Sequence, residues 1–260
     1  MPGFTTHVTA SATLGVGAGI AGYSAGLPLT TCAVGAGLCT IGGMLPDLDG
    51  DTGVPVRETV HLIAAVVPAL MLGSLQAAGF DRESVVLAMA GMYVLIRFGL
   101  GEWFKRITVH RGMWHSIPAA LNMGLIALLI CSGEDIVPRA FKAAAVVVGF
   151  LSHLVLDEIA SLDVFRLRVK ESSGTALKLW TTHHWWPNVL TYSLLLGLLV
   201  CAYQHPVIRD GYTAWRVQAD QRAAMELAEP AEVGIEPASP LIPVTGKSLE
   251  FGATTGAPSR

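Results

Sequence analysis

The chain has 260 residues, of which 52% are hydrophobic and only 14% charged, and its mean hydropathy is +0.53. Soluble domains carry about 25% charged residues, so these values point away from a water-dispersed globule and towards an integral membrane protein. They also exclude a disordered, collagenous or disulfide-scaffold chain, and a net charge of −3 leaves no basic footprint for nucleic acid, which is not expected as a partner.

No Lys or Arg precedes Arg57, so a cleavable leader with a basic start is not expected. The first two apolar stretches, 8–26 and 29–45, are rich in Gly, Ala, Ser and Thr. Their small-xxx-small spacing, as at Gly15 and Gly19, suits close helix contact, either as two full spans or as a shorter buried hairpin. Five stronger stretches follow at 59–79, 84–100, 116–132, 140–160 and 187–203. Each is close to the ~20 residues that a hydrocarbon core demands, and backbone polar groups in lipid force them to be helices. The expected fold is all-α: a polytopic membrane bundle of about 5–7 transmembrane or membrane-embedded helices. Residues 1–204 form the membrane-embedded domain. The tail 205–260 is polar and Pro-rich, and beyond one short helix near 210–228 it is expected to be largely disordered.

The cysteines Cys32, Cys39, Cys131 and Cys201 lie within apolar runs and form no C-x-x-C pair, so they read as packing residues. With the N-terminus on one side, the loops 46–58, 101–115 and 161–186 share that side. They carry Arg57, Lys105, Arg106, Arg111, Arg166, Arg168, Lys170 and Lys178, against Arg82 and Arg139 on the other. This asymmetry predicts that the first side is cytoplasmic.

In a chain so poor in charge, ionisable groups near membrane depth mark candidate sites. They fall in four places. His7 stands at the mouth of the first stretch. Asp47, Asp49 and Asp51 alternate in the turn after the second, where Pro46 and Gly50 bend the backbone so that carboxylates can converge on a cation. His110 and His115 flank Gly112 in a loop, with Arg111 between them suited to an anionic group. His153 and Asp157 are four residues apart, so a helix stacks them on one face. All four map to the same predicted side. The imidazole and carboxylate mixture fits a mono- or dinuclear centre for Zn²⁺, Mn²⁺ or Fe²⁺. His61, near the cytoplasmic end of its stretch, Glu102, and His183 and His184 before the last stretch read as interfacial residues, with an accessory-ligand role as the alternative for the three histidines.

The order of these elements, His7, then LPDLD at 45–49, HRGMWHS at 110–116 and HLVLD at 153–157, resembles the YdjM-like family of bacterial inner-membrane metal-dependent hydrolases over about residues 5–200. The resemblance implies a divalent metal, with zinc the first expectation, and the ligand set His7, Asp47, Asp49, His110, His115, His153 and Asp157. Trp114 departs from the family's usual Thr, and Ala160-Ser161 stands where a Thr is usual. On this reading Asp51 or Glu158 serves as general base and Arg111 holds the substrate's anionic group. The substrate is expected to be a phosphoester or lipid-like molecule met at the membrane surface, with membrane lipid as the partner. The alternatives are a non-catalytic regulator or interaction protein with a structural metal or polar cluster, and a coupled transporter. The transporter would need a visible repeat and mid-membrane sites, neither of which the sequence offers.

Overall fold

The computed structural model describes residues 3–49, 53–100, 113–133, 135–163, 168–169, 177–181 and 185–228; at Asp49 and a few element ends only the backbone is described. Helices α1 (Phe4–Ser24) and α2 (Leu29–Met44) form a hairpin through Gly26, whose φ of 88° is left-handed. The 3₁₀ turn Leu45–Asp49 follows, then α3 (Val54–Ala77) and α4 (Arg82–Val94), which runs on into a π-helical turn at Leu95–Leu100. Next come α5 (Ile117–Ile130), α6 (Ile136–Ser161), α7 (Trp185–Gln204) and α8 (Pro206–Ala228). Among the described residues extended pairing is confined to the two-residue antiparallel match of β1 (Leu162–Asp163) with β2 (Arg168–Val169) and a single parallel bridge between Ser116 and Lys178. The all-α expectation therefore holds.

Four helical segments among the described residues are long and apolar enough to cross a membrane: Leu29–Leu48, Val56–Ala77, Ile136–Ala160 and Trp185–Gln204. The expected stretch at 116–132 becomes the shorter α5, whose 14 residues reach only about 21 Å at 1.5 Å per residue. The stretch at 84–100 is realised as α4 and its π turn together. Large apolar side chains such as Leu87, Leu190 and Leu196 stay exposed, as lipid-facing positions do.

The centre of the bundle is a seam of small residues. In α1 the buried positions are His7, Ser11, Gly15, Gly19 and Gly22, spaced three or four apart and therefore on one face. A Cβ at Gly15 would run into the Ala36 carbonyl, and one at Gly149 into the Cys39 carbonyl. Gly42 is pressed in the same way against the Val146 backbone. Lipid tails are as apolar as leucine, so helices in a bilayer gain from this close approach what burial supplies in water. The apolar core continues along α6 through Val146, Phe150 and Leu154, packed with Leu38, Leu45 and Ala120.

Polar clamps close the periphery. Asn122 Nδ2 donates to the Thr191 carbonyl at 3.1 Å, tying α5 to α7. Asn188, fully buried, accepts from Thr181 N at 3.0 Å and donates to Thr181 O at 2.7 Å. Ser116 caps α5 by accepting from Ala119 N, and Asp81 caps α4 by accepting from Ser84 N. Two contact units divide the chain, Met1–Val217 and Gln218–Arg260. Of the second, the structure describes the end of α8, a helix of 23 residues that starts at Pro206.

Candidate metal centre

His7, His153 and Asp157 come together although the first two stand 146 positions apart in the chain. One potential ligand atom from each lies within 4.8 Å of the other two. His7 Nε2 is 3.5 Å from Asp157 Oδ1, and His153 Nε2 is 3.5 Å from Asp157 Oδ2. The carboxylate thus turns one oxygen to each imidazole. The two rings stack, with centroids 3.7 Å apart and planes inclined by 16°.

Each group is placed by its element. Asp157 follows His153 by one helical turn of α6, as i,i+4 spacing requires. His7 heads the small-residue face of α1, and Ser11 locks the next turn by donating to the His7 carbonyl at 2.9 Å. Asp47 enters from the 3₁₀ turn, its Oδ1 3.6 Å from His153 Nε2. The side chains of His7 and His153 are 4% and 1% exposed, that of Asp157 is 9% exposed, and that of Asp47 is 30% exposed. The cluster is therefore closed on the helix side and open at Asp47.

The His153 ring has a fixed tautomer. Its Nδ1 lies 2.8 Å from the Gly43 carbonyl, which can only accept, so Nδ1 carries a proton and Nε2 is the nitrogen turned to Asp47 and Asp157. A backbone carbonyl holding the far nitrogen is the usual support of a metal-ligating histidine. His7 turns its Nε2 to the cluster, while its Nδ1 is buried and has no hydrogen-bond partner among the described residues.

His115 joins from the loop before α5. Its ring meets the His153 ring edge to face, with centroids 5.9 Å apart. The neighbouring Trp114 donates its indole N–H to the Leu45 carbonyl at 2.9 Å and packs edge-on against Phe150. The residue that departs from the usual motif thereby ties the His115 loop to the Asp47 turn. Glu158, also on α6, is partly buried and is rotated about 100° from Asp157.

The structure thus gathers His7, Asp47, His115, His153 and Asp157. His110, Arg111 and Asp51 lie outside the described residues, as do His183 and His184, and the side chain of Asp49 is likewise not described. Two contributors were not singled out from sequence, the Gly43 carbonyl and the Trp114 indole. The Gly42-Gly43 pair, separated from LPDLD only by Met44, was the available signal for the first. Nothing marked the second beyond its departure from the motif.

A bundle with several bilayer-length apolar helices and a buried His/Asp cluster at one end of its longest helix defines a polytopic membrane protein. The family described as YdjM inner membrane protein matches residues 1–206, and the chain belongs to it. No curated protein and no solved structure shows significant similarity to the chain.

Proposed function

We propose that the protein is a membrane-bound, metal-dependent hydrolase whose His/Asp centre works at the cytoplasmic face on a phosphoester. The observation that carries this reading is the convergence of His7, His153 and Asp157 donor atoms on one point, with the His153 tautomer fixed by Gly43. The donor set of imidazoles and carboxylates, without thiolate, fits a divalent ion such as zinc, with manganese or iron as other candidates. His7, His153, Asp157 and Asp47 would hold it, with His115 and the motif residues Asp49 and His110 completing the set. When bound, such an ion supplies Lewis acidity, which makes water acidic and polarises a phosphoryl oxygen.

The chain's own groups do the remaining work. Gly43 and Asp157 orient the His153 ring, and the α1–α6 seam excludes water from the closed side. Substrate enters from the Asp47 side, the exposed edge of the cluster. Arg111 holds its anionic group. Water forms the new P–O bond and gives its proton to Glu158 or Asp51. The ester P–O bond breaks, and the alcohol leaves with a proton taken from solvent.

Elemental analysis of the purified protein tests the reading, combined with a phosphomonoester and phosphodiester panel. Bound divalent transition metal is expected, together with metal-dependent turnover, and His153→Ala and His7→Ala should lose both. Protein that holds no such metal, or cleavage unchanged in His153→Ala, would overturn it.

A further inference from the structure

Beside the His/Asp cluster lies an apolar cavity of about 470 Å³. Its walls come from α2, α3 and α5, with single contributions from α6, α7 and the π turn. Along α3 the lining runs from Val56 to Leu70, which is about 21 Å at 1.5 Å per residue. Half of a ~30 Å hydrocarbon core, the share of one leaflet, is about 15 Å, so one lipid tail fits the length. The volume falls within the ~300–1,000 Å³ of ordinary ligand pockets.

The chemistry of the wall narrows the occupant. Every lining side chain is apolar except Trp114, and its indole N–H is already given to the Leu45 carbonyl. Among the described residues no lining group is left to recognise a sugar, a nucleotide or an ion, and apolar space of this size left unfilled would be costly to the fold. The cavity also lies between segments long and apolar enough to cross the membrane, where hydrocarbon is the available filler.

Its position supplies the second line of reasoning. Leu45 and Leu48 line the cavity, while Asp47 between them lies 3.6 Å from His153 Nε2. Trp114 lines it too, and the adjacent His115 meets the His153 ring. Two short backbone segments therefore face hydrocarbon on one side and the polar cluster on the other. A chain seated in the cavity has its polar end at the cluster.

We infer that this cavity is the slot for one acyl chain of a lipid whose phosphoester head group is presented to the His/Asp cluster. The inference names the substrate class of the hydrolase proposed above and rests on that reading for the reaction, although not for the binding.

The test uses the full chain in lipid nanodiscs doped with a phosphatidic acid whose 16-carbon chain ends in a photoactivatable diazirine. After illumination, adducts are mapped by peptide mass spectrometry. Labelling of Ile63, Val67 and Met123 should exceed that of the lipid-exposed Leu87 and Leu190 at least tenfold. Ala127→Trp, which fills the cavity from α5, should cut the cavity adducts about tenfold while its metal content stays at the wild-type level. Ile63→Phe, a milder filling, serves if Ala127→Trp does not fold. Adducts spread evenly over lipid-facing positions, or undiminished in a folded filling variant, would overturn the slot. If a soluble phosphodiester is still cleaved in that case, the hydrolase reading stands and the slot alone falls. Cavity adducts in protein that binds no metal support the slot and defeat the hydrolase reading instead.

Discussion

At the scale of single residues, the supports of the cluster are as informative as the candidate ligands. Trp114 spends its indole N–H on the Leu45 carbonyl and lays its ring against Phe150. Trp114→Phe keeps an aromatic ring but removes the donor. It should cost about 1 kcal/mol in stability, and because the turn carrying Asp47 is then less well fixed, metal affinity should fall on the order of tenfold. A metal titration run beside a denaturation curve checks both numbers. Asp81 gives a pH-dependent case away from the site. The hydrogen bond from Ser84 holds its carboxyl below the ordinary carboxylate range. A depressed folded value means that the cap is intact above the unfolded pKa and is lost as pH falls through the folded one. Amide exchange at Ser84, corrected for its intrinsic rate, should therefore quicken in that acidic window, and Asp81→Ala should remove the dependence.

At the scale of elements, helix approach sets the site. Gly149 on α6 meets the Cys39 carbonyl and Gly43 of α2, one turn before His153. Gly149→Leu overpacks this crossing, at a cost of about 1–3 kcal/mol, and should displace His153 from the Gly43 carbonyl. Gly197 on α7 has open space around its Cα, so Gly197→Leu should stay within about 0.5 kcal/mol and keep full metal content. Thermal unfolding in detergent with elemental analysis distinguishes the two. The same elements show why parts of this design were readable in sequence. The His153–Asp157 pair is visible because ionisable groups at helical spacing in an apolar stretch have few innocent explanations. His7 and Asp47 could be named because they begin and end the small-residue hairpin. The Gly43 carbonyl could not be, since a backbone oxygen leaves no mark in residue identity. The cavity was hidden for a related reason: Val60, Ile63 and Val67 look the same in sequence whether they face bilayer lipid or an internal slot.

At the scale of the whole molecule, the membrane orientation is open to a direct experiment. Loop charge predicts that Gly53 and the site face the cytoplasm and that Asp81 faces outward. In a Cys201→Ser background the remaining cysteines, Cys32, Cys39 and Cys131, are buried. A membrane-impermeant maleimide should then label Asp81→Cys in spheroplasts, and Gly53→Cys only after lysis. The reverse pattern would turn the molecule over and place its chemistry outside.

Gly43 has a wider consequence, because one residue serves two purposes. Its missing side chain lets α2 close on α1 and α6, where a Cβ would strike Ser11, and its carbonyl orients His153. An ion that required His153 in this pose would therefore bind only the docked arrangement of the three helices. Thermodynamic linkage then makes the ion a folding ligand, contributing about 2.7 kcal/mol at a hundredfold excess over its dissociation constant. A chelator would act on this protein as a denaturant, and the supply of metal in the cell would govern how much of the protein endures as well as how fast it works.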